Sequence, residues 1–310
     1  MKNKTVVITG GAGFIGSNLA RELASGNRVV VVDDLSTGNL DNIQDLIDSK
    51  DIEFIQGSIT DLGLLQETFK DVDYVFHQAA IPSVPRSVKN PITSNYANVN
   101  GTLNVLVAAR DNNVKKVVYA SSSSVYGDTP TLPKKEDMKP CPLSPYAVGK
   151  LTGEYYCQVF NEVYGLPAVS LRYFNVYGPR QDPLSEYAAV IPKFITCMLN
   201  EESPVVFGDG EQTRDFTFIN DVVQANILAA ESDATGVFNT ACGKRISIND
   251  LVHSIRVITG KNVDSVYDDP RPGDILHSLA DITKAKEQFH FDPKFTMEKG
   301  LEETVKWFQK

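Results

Sequence analysis

Across its first half the chain alternates short, almost wholly apolar runs with segments of helical spacing. The runs are VVIT at 6–9, VVVV at 29–32, EFIQ at 53–56, YVFH at 74–77 and KVVYAS at 116–121. Near-continuous apolar strands belong to a parallel sheet covered on both faces, because a strand with one wet face would alternate polar and apolar residues. Between them Ile15, Leu19 and Leu23 recur at helical spacing, as do Leu62, Leu65 and Phe69 behind the candidate cap Asp61. The pattern predicts an α/β fold with a doubly wound parallel sheet. Past about Asn175 the rhythm breaks, with Pro and Gly scattered through 178–210, so a smaller C-terminal lobe is expected. The apolar segment 237–239 and a helix before it at 220–230 are expected to rejoin the first sheet. The anticipated division is 1–174 with about 215–240 for the larger domain, and about 175–214 with 241–310 for the lobe.

At 310 residues the chain can bury a large core, and 42% hydrophobic with 22% charged residues is the composition of a globular protein. A net charge of -9 and a pI near 5.0 argue against nucleic-acid binding, which needs a basic face to displace counterions. An anionic substrate must then be gripped by local arginines. Cys141, Cys157, Cys197 and Cys242 lack CxxC spacing, and His77, His253, His277 and His290 never fall at i, i+4, so neither a redox pair nor a metal site is expected. The start, MKNKTVVITGG, runs straight into a strand pattern without a secretory apolar stretch, and no segment is apolar enough to span a bilayer. The expectation is a cytoplasmic protein with no membrane partner.

TGGAGFIG sets Gly10, Gly13 and Gly16 directly after a strand and at a helix start. Such glycines let backbone N–H groups and the helix N-terminus approach a pyrophosphate. The pattern alone is weak, since a plain strand-to-helix turn also uses glycine. The context adds Asp33 at the end of the second run, where a carboxylate can accept from adenosine ribose hydroxyls and would repel a 2′-phosphate. NAD is therefore favoured over NADP. Asp34 beside it can share the role, and a loop acid facing water is the plainer alternative.

In SPYAVGK, Tyr146 and Lys150 lie on one helix face. With 12 tyrosines and 30 Lys and Arg, roughly one Tyr-xxx-Lys/Arg pair arises by chance, and Tyr267 with Arg271 shows it too. What lifts the first pair is SSSSVYG, which places serines after a strand at the sheet's carboxyl edge, where open α/β sheets bind ligands. A hydroxyl there can complete a Ser-Tyr-Lys proton relay, although serine clusters also simply turn a strand end. A pyridinium and an ammonium would both favour the phenolate of Tyr146, whose ordinary pKa near ~10 makes it a poor base.

Taken together TGGAGFIG, SSSSVYG, YAVGK, RYFNVYGPRQ and GDGEQTRDF resemble the extended short-chain dehydrogenase/reductase family, and within it the UDP-glucose and UDP-N-acetylglucosamine 4-epimerases, over essentially the whole chain. The resemblance implies a Rossmann sheet, a bound NAD and catalytic roles for Ser122, Tyr146 and Lys150, with Ser123 beside the sugar. It implies that Tyr146 takes the 4-hydroxyl proton while hydride passes from C4 to NAD, that the 4-keto sugar rotates, and that hydride returns to its other face. On the same resemblance Phe14, Ile15, Ser36, Thr37, Gly38, Ser58, Ile59, Gln78, Ala79, Ala80, Asn98 and Phe174 are expected around the cofactor. Asn175, Arg180, Arg214 and Arg271 are similar in position to residues that grip the diphosphate and ribose. Gln212 and Asp274 are expected beside them, with Phe207 stacking on uracil and Ala189 and Val190 presenting backbone groups.

Relatives that dehydrate carry an Asp-Glu pair where this chain has Ser123 and Ser124, and decarboxylases keep a glutamate at the second position, so epimerisation or simple oxidoreduction is implied. Ser278 stands where relatives restricted to plain hexoses carry tyrosine, which implies room for a C2 acetamido group. UDP-glucuronate 4-epimerases are also small here, so that substrate stays open, as does another NAD-dependent sugar-nucleotide oxidoreductase. A non-enzymatic NAD sensor on this fold would generally have lost the Tyr-Lys pair. Surplus apolar residues at 94–110 and 146–164, among them Leu103, Leu106, Val107, Tyr155, Val159 and Phe160, suggest a homodimer through helices, a well-covered helix being the plainer reading.

Overall fold

The computed structural model describes residues 1–183, 189–270 and 275–310. The main sheet is made of Thr5–Thr9 (β1), Arg28–Asp33 (β2), Ile52–Gln56 (β3), Tyr74–His77 (β4), Lys116–Ser122 (β5), Ala168–Tyr173 (β6) and Gly236–Thr240 (β7). Their spatial order is β7-β6-β5-β4-β1-β2-β3, with every pairing parallel. The chain winds outward in both directions from β1 and β4, and the reversal opens a crevice at their carboxyl ends. The five apolar runs lie inside β1 to β5. The sequence pattern did not mark β6, because Ser170 and Arg172, both buried, interrupt its apolar run.

The principal helices are Phe14–Ala24 (α1), Leu62–Thr68 (α2), Gly101–Asp111 (α3), Pro145–Tyr164 (α4), Val190–Leu199 (α5), Ile219–Glu231 (α6), Ile248–Thr259 (α7) and Met297–Phe308 (α8). Strand side chains alternate between faces, so Val6 and Ile8 join Leu19, Val222 and Leu251 in one core. Val7 and Val30 join Leu65, Val105 and Phe160 in the other. Each such side chain contributes about 1.5–3 kcal/mol by leaving water. The α4 boundaries are written locally. The Ser144 hydroxyl accepts from Ala147 N–H at 3.1 Å, Pro145 opens the first turn, and Gly165 ends the helix in the left-handed region at φ 68°. At the far end of β5, the Lys116 ammonium caps α6 by donating to Ala229 O at 3.0 Å and Ser232 O at 2.5 Å.

Outside the main sheet the ladders shrink. Val176–Tyr177 pairs in parallel with Thr217–Phe218, Thr213–Arg214 antiparallel with Ile246–Ser247, and Val205–Phe207 in parallel with Val266–Asp268. Helices α5, α7 and α8 add Phe194, Ile195, Leu251, Ile255, Leu301 and Val305 to the first core, so these short ladders pack onto the main sheet's own interior. Asp215 ties the segment down: fully buried, its carboxylate accepts from Cys242, Gly243 and Ala280 N–H at 3.0, 3.1 and 3.1 Å. Among the described residues no helix is long and apolar enough to cross a membrane.

Candidate active site

The glycine loop joins β1 to α1 at the crevice. Gly10 has φ +72°, and a Cβ there would sit 2.6 Å from the Ala79 main chain; a Cβ at Gly16 would sit 2.2 Å from Gly10 O. Both closures demand glycine. Gly13 instead caps α1 without any side-chain hydrogen bond, and the first turn carries no acid, so its free N–H groups and positive dipole end suit an anion. At the end of β2, Asp33 accepts from Ala12 N–H at 2.9 Å and Leu35 N–H at 2.8 Å. Burial pushes its carboxyl above the ordinary value while those two donors pull it down. Each oxygen keeps a lone pair, so two ribose hydroxyls can still be accepted. Gly38 keeps that edge open, since a Cβ would meet Asp33 Oδ1 at 2.8 Å. Asp34, Ser36 and Thr37 are exposed around it, and Asp34 accepts from Ser36 N–H at 2.9 Å. The loop and the acid fit a dinucleotide.

Several other expected cofactor residues serve the frame. Phe14 and Ile15 open α1 and pack on the sheet's first core. Ser58 accepts from Thr60 Oγ1 at 3.0 Å, and Ile59 is buried under α3. Gln78 donates to Asn226 Oδ1 at 3.0 Å and accepts from Tyr173 Oη at 3.2 Å; Ala79 backs Gly10, and Ala80 is half-buried beyond it. Two more of the expected residues lie deep in the frame. Asn98 is 2% exposed and its amide holds the loop after β4, accepting from Ile81 N–H at 2.8 Å and donating to Ile81 O at 3.1 Å. Phe174 has no exposed surface and packs with Val125, Tyr126 and Ala241 beneath the site.

At the ends of β5 and α4 the expected triad comes together. The Ser122 hydroxyl faces the Tyr146 phenol closely enough to favour its charged form. Lys150 follows one helical turn on, its ammonium 5.8 Å from the Tyr146 ring centre and donating to Ala120 O at 2.7 Å. Burial lowers Lys150 to about 8, and it raises Tyr146, partly offset by the Ser122 hydroxyl. The chain by itself thus keeps the phenol protonated, and the Lys150 ammonium faces the Ala120 carbonyl. His77 is no competing base. It sits between Thr9 Oγ1 at 2.8 Å and Thr102 Oγ1 at 2.9 Å, and burial with the Lys150 charge lowers it to about 3. Ser123 is half-buried beside Ser122, and the Ser124 Oγ is buried without a partner.

Across the crevice a cavity of about 230 Å³ gathers Asn175, Ala189, Val190, Phe207, Gln212 and Arg214, residues expected from distant stretches of chain, along with the unanticipated Phe194, Val206, Phe216 and Ile248. Its apolar floor comes from α5 and α7, an amphipathic signal present in the sequence but not distinguishable there from ordinary core. Gln212 donates to Phe207 O at 2.7 Å, and Arg214 to Thr213 O and Leu276 O at 3.0 and 3.3 Å. Ser278 donates through its N–H to Thr213 O at 3.0 Å, next to Arg214 in the chain. Arg180 departs from expectation: at φ +72° it turns to α1 and donates to Asn18 Oδ1 at 3.1 Å. Arg271 and Asp274, and residues 184–188 before the cavity's Ala189, lie outside the described residues. A larger cleft of about 780 Å³, along the β7 edge, is lined by Glu136, Glu162 and Lys284 and contains none of the expected site residues.

Residues 6–241 match the model of the NAD dependent epimerase/dehydratase family. A putative UDP-glucose 4-epimerase of Methanocaldococcus jannaschii is 41% identical over 307 residues, covering 98% of each chain. A UDP-N-acetylglucosamine 4-epimerase from Methanobrevibacter ruminantium M1, solved in complex with UDP-N-acetylmuramic acid, superposes with a TM-score of 0.97 at 48% identity, covering 100% of this chain and 99% of that one. A Thermotoga maritima UDP-glucose 4-epimerase solved with UDP-glucose gives 0.94 at 40% identity and 98% coverage of both. The glycine loop, the Ser-Tyr-Lys cluster and these matches place the chain in one family: it belongs to the NAD dependent epimerase/dehydratase family.

Proposed function

We propose that this protein is a 4-epimerase of UDP-hexoses, interconverting UDP-N-acetylglucosamine with UDP-N-acetylgalactosamine and UDP-glucose with UDP-galactose. One observation carries the reading: a phenol facing the Ser122 hydroxyl and one turn from the Lys150 ammonium, at the same carboxyl edge of the sheet as the glycine loop. When bound, NAD supplies a reversible oxidant for the sugar's C4, and its positive ring adds to the pull on the Tyr146 proton. Gly10, Gly13 and Gly16 with the α1 N-terminus would hold its pyrophosphate, and Asp33 its ribose. Tyr146 accepts the proton of the 4-hydroxyl and later returns it, while Ser122 donates to the phenolate and Lys150 stabilises its charge. Ser123 and Ser124 supply no acid for a leaving hydroxyl, which leaves little means of elimination at these positions. Arg214 and the cavity around Phe207 anchor the nucleotide tail while the hexose turns. In this reading residues 1–174 with about 215–240 hold NAD, and 175–214 with 241–310 hold the UDP-sugar.

The test is one assay. Purified protein is given UDP-glucose, UDP-N-acetylglucosamine or UDP-glucuronate without added NAD, and the products are resolved by chromatography. A 4-epimer of UDP-N-acetylglucosamine is expected; no 4-epimer from any of the three contradicts the reading. Ser278→Tyr should lower turnover of the N-acetylated sugar about tenfold or more relative to UDP-glucose. A homodimer is proposed as well. Val148, Tyr155, Val159 and Val163 lie 44–67% exposed on α4, next to the exposed Val88, Ile92 and Tyr96, an apolar patch suited to a second copy. On the same helices Leu106 and Phe160 belong to the core instead. Light scattering should give twice the 34.1 kDa chain mass.

A further inference from the structure

Ser121, Glu154 and Arg172 form a closed cluster behind the catalytic edge. Arg172 on β6 grips both oxygens of Glu154, Nε to Oε1 at 2.8 Å and one terminal nitrogen to Oε2 at 2.7 Å. The Ser121 hydroxyl donates to Glu154 Oε1 at 2.5 Å. Ser121 and Arg172 are register partners on β5 and β6. The two charged side chains are only 3% and 2% exposed, so neither salt nor water competes for them. The Tyr126 ring lies 4.6 Å from the Arg172 guanidinium carbon, and its hydroxyl donates to Asn239 Oδ1 on β7 at 2.7 Å.

Tyr146, Lys150 and Glu154 lie four residues apart on α4 and form one stripe along the helix. Three consecutive residues of β5 meet that stripe: the Ser122 hydroxyl faces Tyr146, Ala120 O accepts from Lys150, and Ser121 bonds Glu154. The helix rides close to the strand, because a Cβ on Gly153 would come within 2.3 Å of the Tyr119 hydroxyl. Arg172 also leads, through Tyr173 and Phe174, to Asn175 at the substrate cavity. A buried ion pair is often no more stabilising than well-packed apolar side chains, so stability alone gives weak reason for one here. Its strength is directional: a guanidinium fork on a carboxylate allows one register and one rotation.

We propose that Ser121, Glu154 and Arg172 are positioning residues that set the height and rotation of α4 against β5 and so fix the Tyr146 phenol relative to Ser122. None of the three touches substrate. They act through the register of the stripe. This deepens the epimerase reading and rests on it for the kinetic arm of its test.

The variants are Ser121→Ala, Glu154→Gln and the paired replacement Glu154→Leu with Arg172→Met, which swaps the ion pair for apolar side chains. Measured on the full chain are kcat and KM with UDP-N-acetylglucosamine, bound NAD after denaturation, thermal stability, and the ¹³Cζ resonance of Tyr146, identified by its loss in Tyr146→Phe. The expected result is a kcat lowered about tenfold to a hundredfold with KM and NAD content unchanged. The Tyr146 resonance should move in each variant, and the paired replacement should keep its stability and stay slow. An unmoved resonance, or a paired replacement with wild-type kcat, overturns the proposal. If the parent chain epimerises no UDP-sugar, the functional reading fails, while the resonance still decides whether the cluster positions the phenol.

Discussion

From Gly10 to Asp33 the parts of the cofactor edge come from one continuous strand-helix-strand stretch, whereas Arg214 reaches its place through partners at 246 and 276. The first region is held by main-chain approach so close that Gly10 and Gly16 admit no Cβ. The second hangs on ladders two or three residues long and on the buried carboxylate of Asp215. The contrast teaches where each half is vulnerable. A local turn fails by steric clash, while a cavity assembled from distant segments fails by losing its ties.

The largest expected effect follows from the clash. Gly16→Ala should strip NAD from the purified protein, its content after denaturation falling more than about tenfold, because the added Cβ meets Gly10 O at 2.2 Å. UDP binding by calorimetry should survive in that variant, and joint loss of both ligands would erase the distinction between the two regions. Arg214→Ala is the crossing experiment. It should raise KM about tenfold to a hundredfold, the cost of a charged hydrogen bond of about 1.5–3 kcal/mol, with NAD content unchanged.

The smallest effect sharpens the comparison through pH. Burial outweighs the backbone donors at Asp215 and pushes it from 3.8 up to about 7. A folded value above the unfolded one means stability that is full below 3.8 and is lost as pH rises through about 7. Asp215→Asn never titrates, so the melting-temperature gap between parent and variant should narrow from pH 5 to pH 8. A gap independent of pH would mean that Asp215 is already ionised across the range.

The same contrast explains what the sequence made legible. Strands β1 to β5, the glycine turn and Asp33 were readable because each is local: apolar runs of strand length, glycine where a turn closes, an acid at a strand end. Tyr146 and Lys150 needed only helical spacing and a nearby serine run. Strand β6 was hidden because Ser170 and Arg172 look like surface residues until Glu154, 18 positions away, supplies the partner. The packing of Asn98 on Ile81 and the enclosure of Phe174 depend on contacts that no local pattern marks. Arg180 could not be read either, since its φ of +72° aims it back at α1.

The most direct measurement is turnover of UDP-N-acetylglucosamine by Tyr146→Phe, with bound NAD quantified in the same preparation. Removing one hydroxyl should leave NAD content and UDP affinity at parental levels while kcat falls by about 10² to 10⁴, the span of a general base. Parental kcat in a variant that still holds NAD would contradict the assignment of Tyr146 as the group that takes the 4-hydroxyl proton.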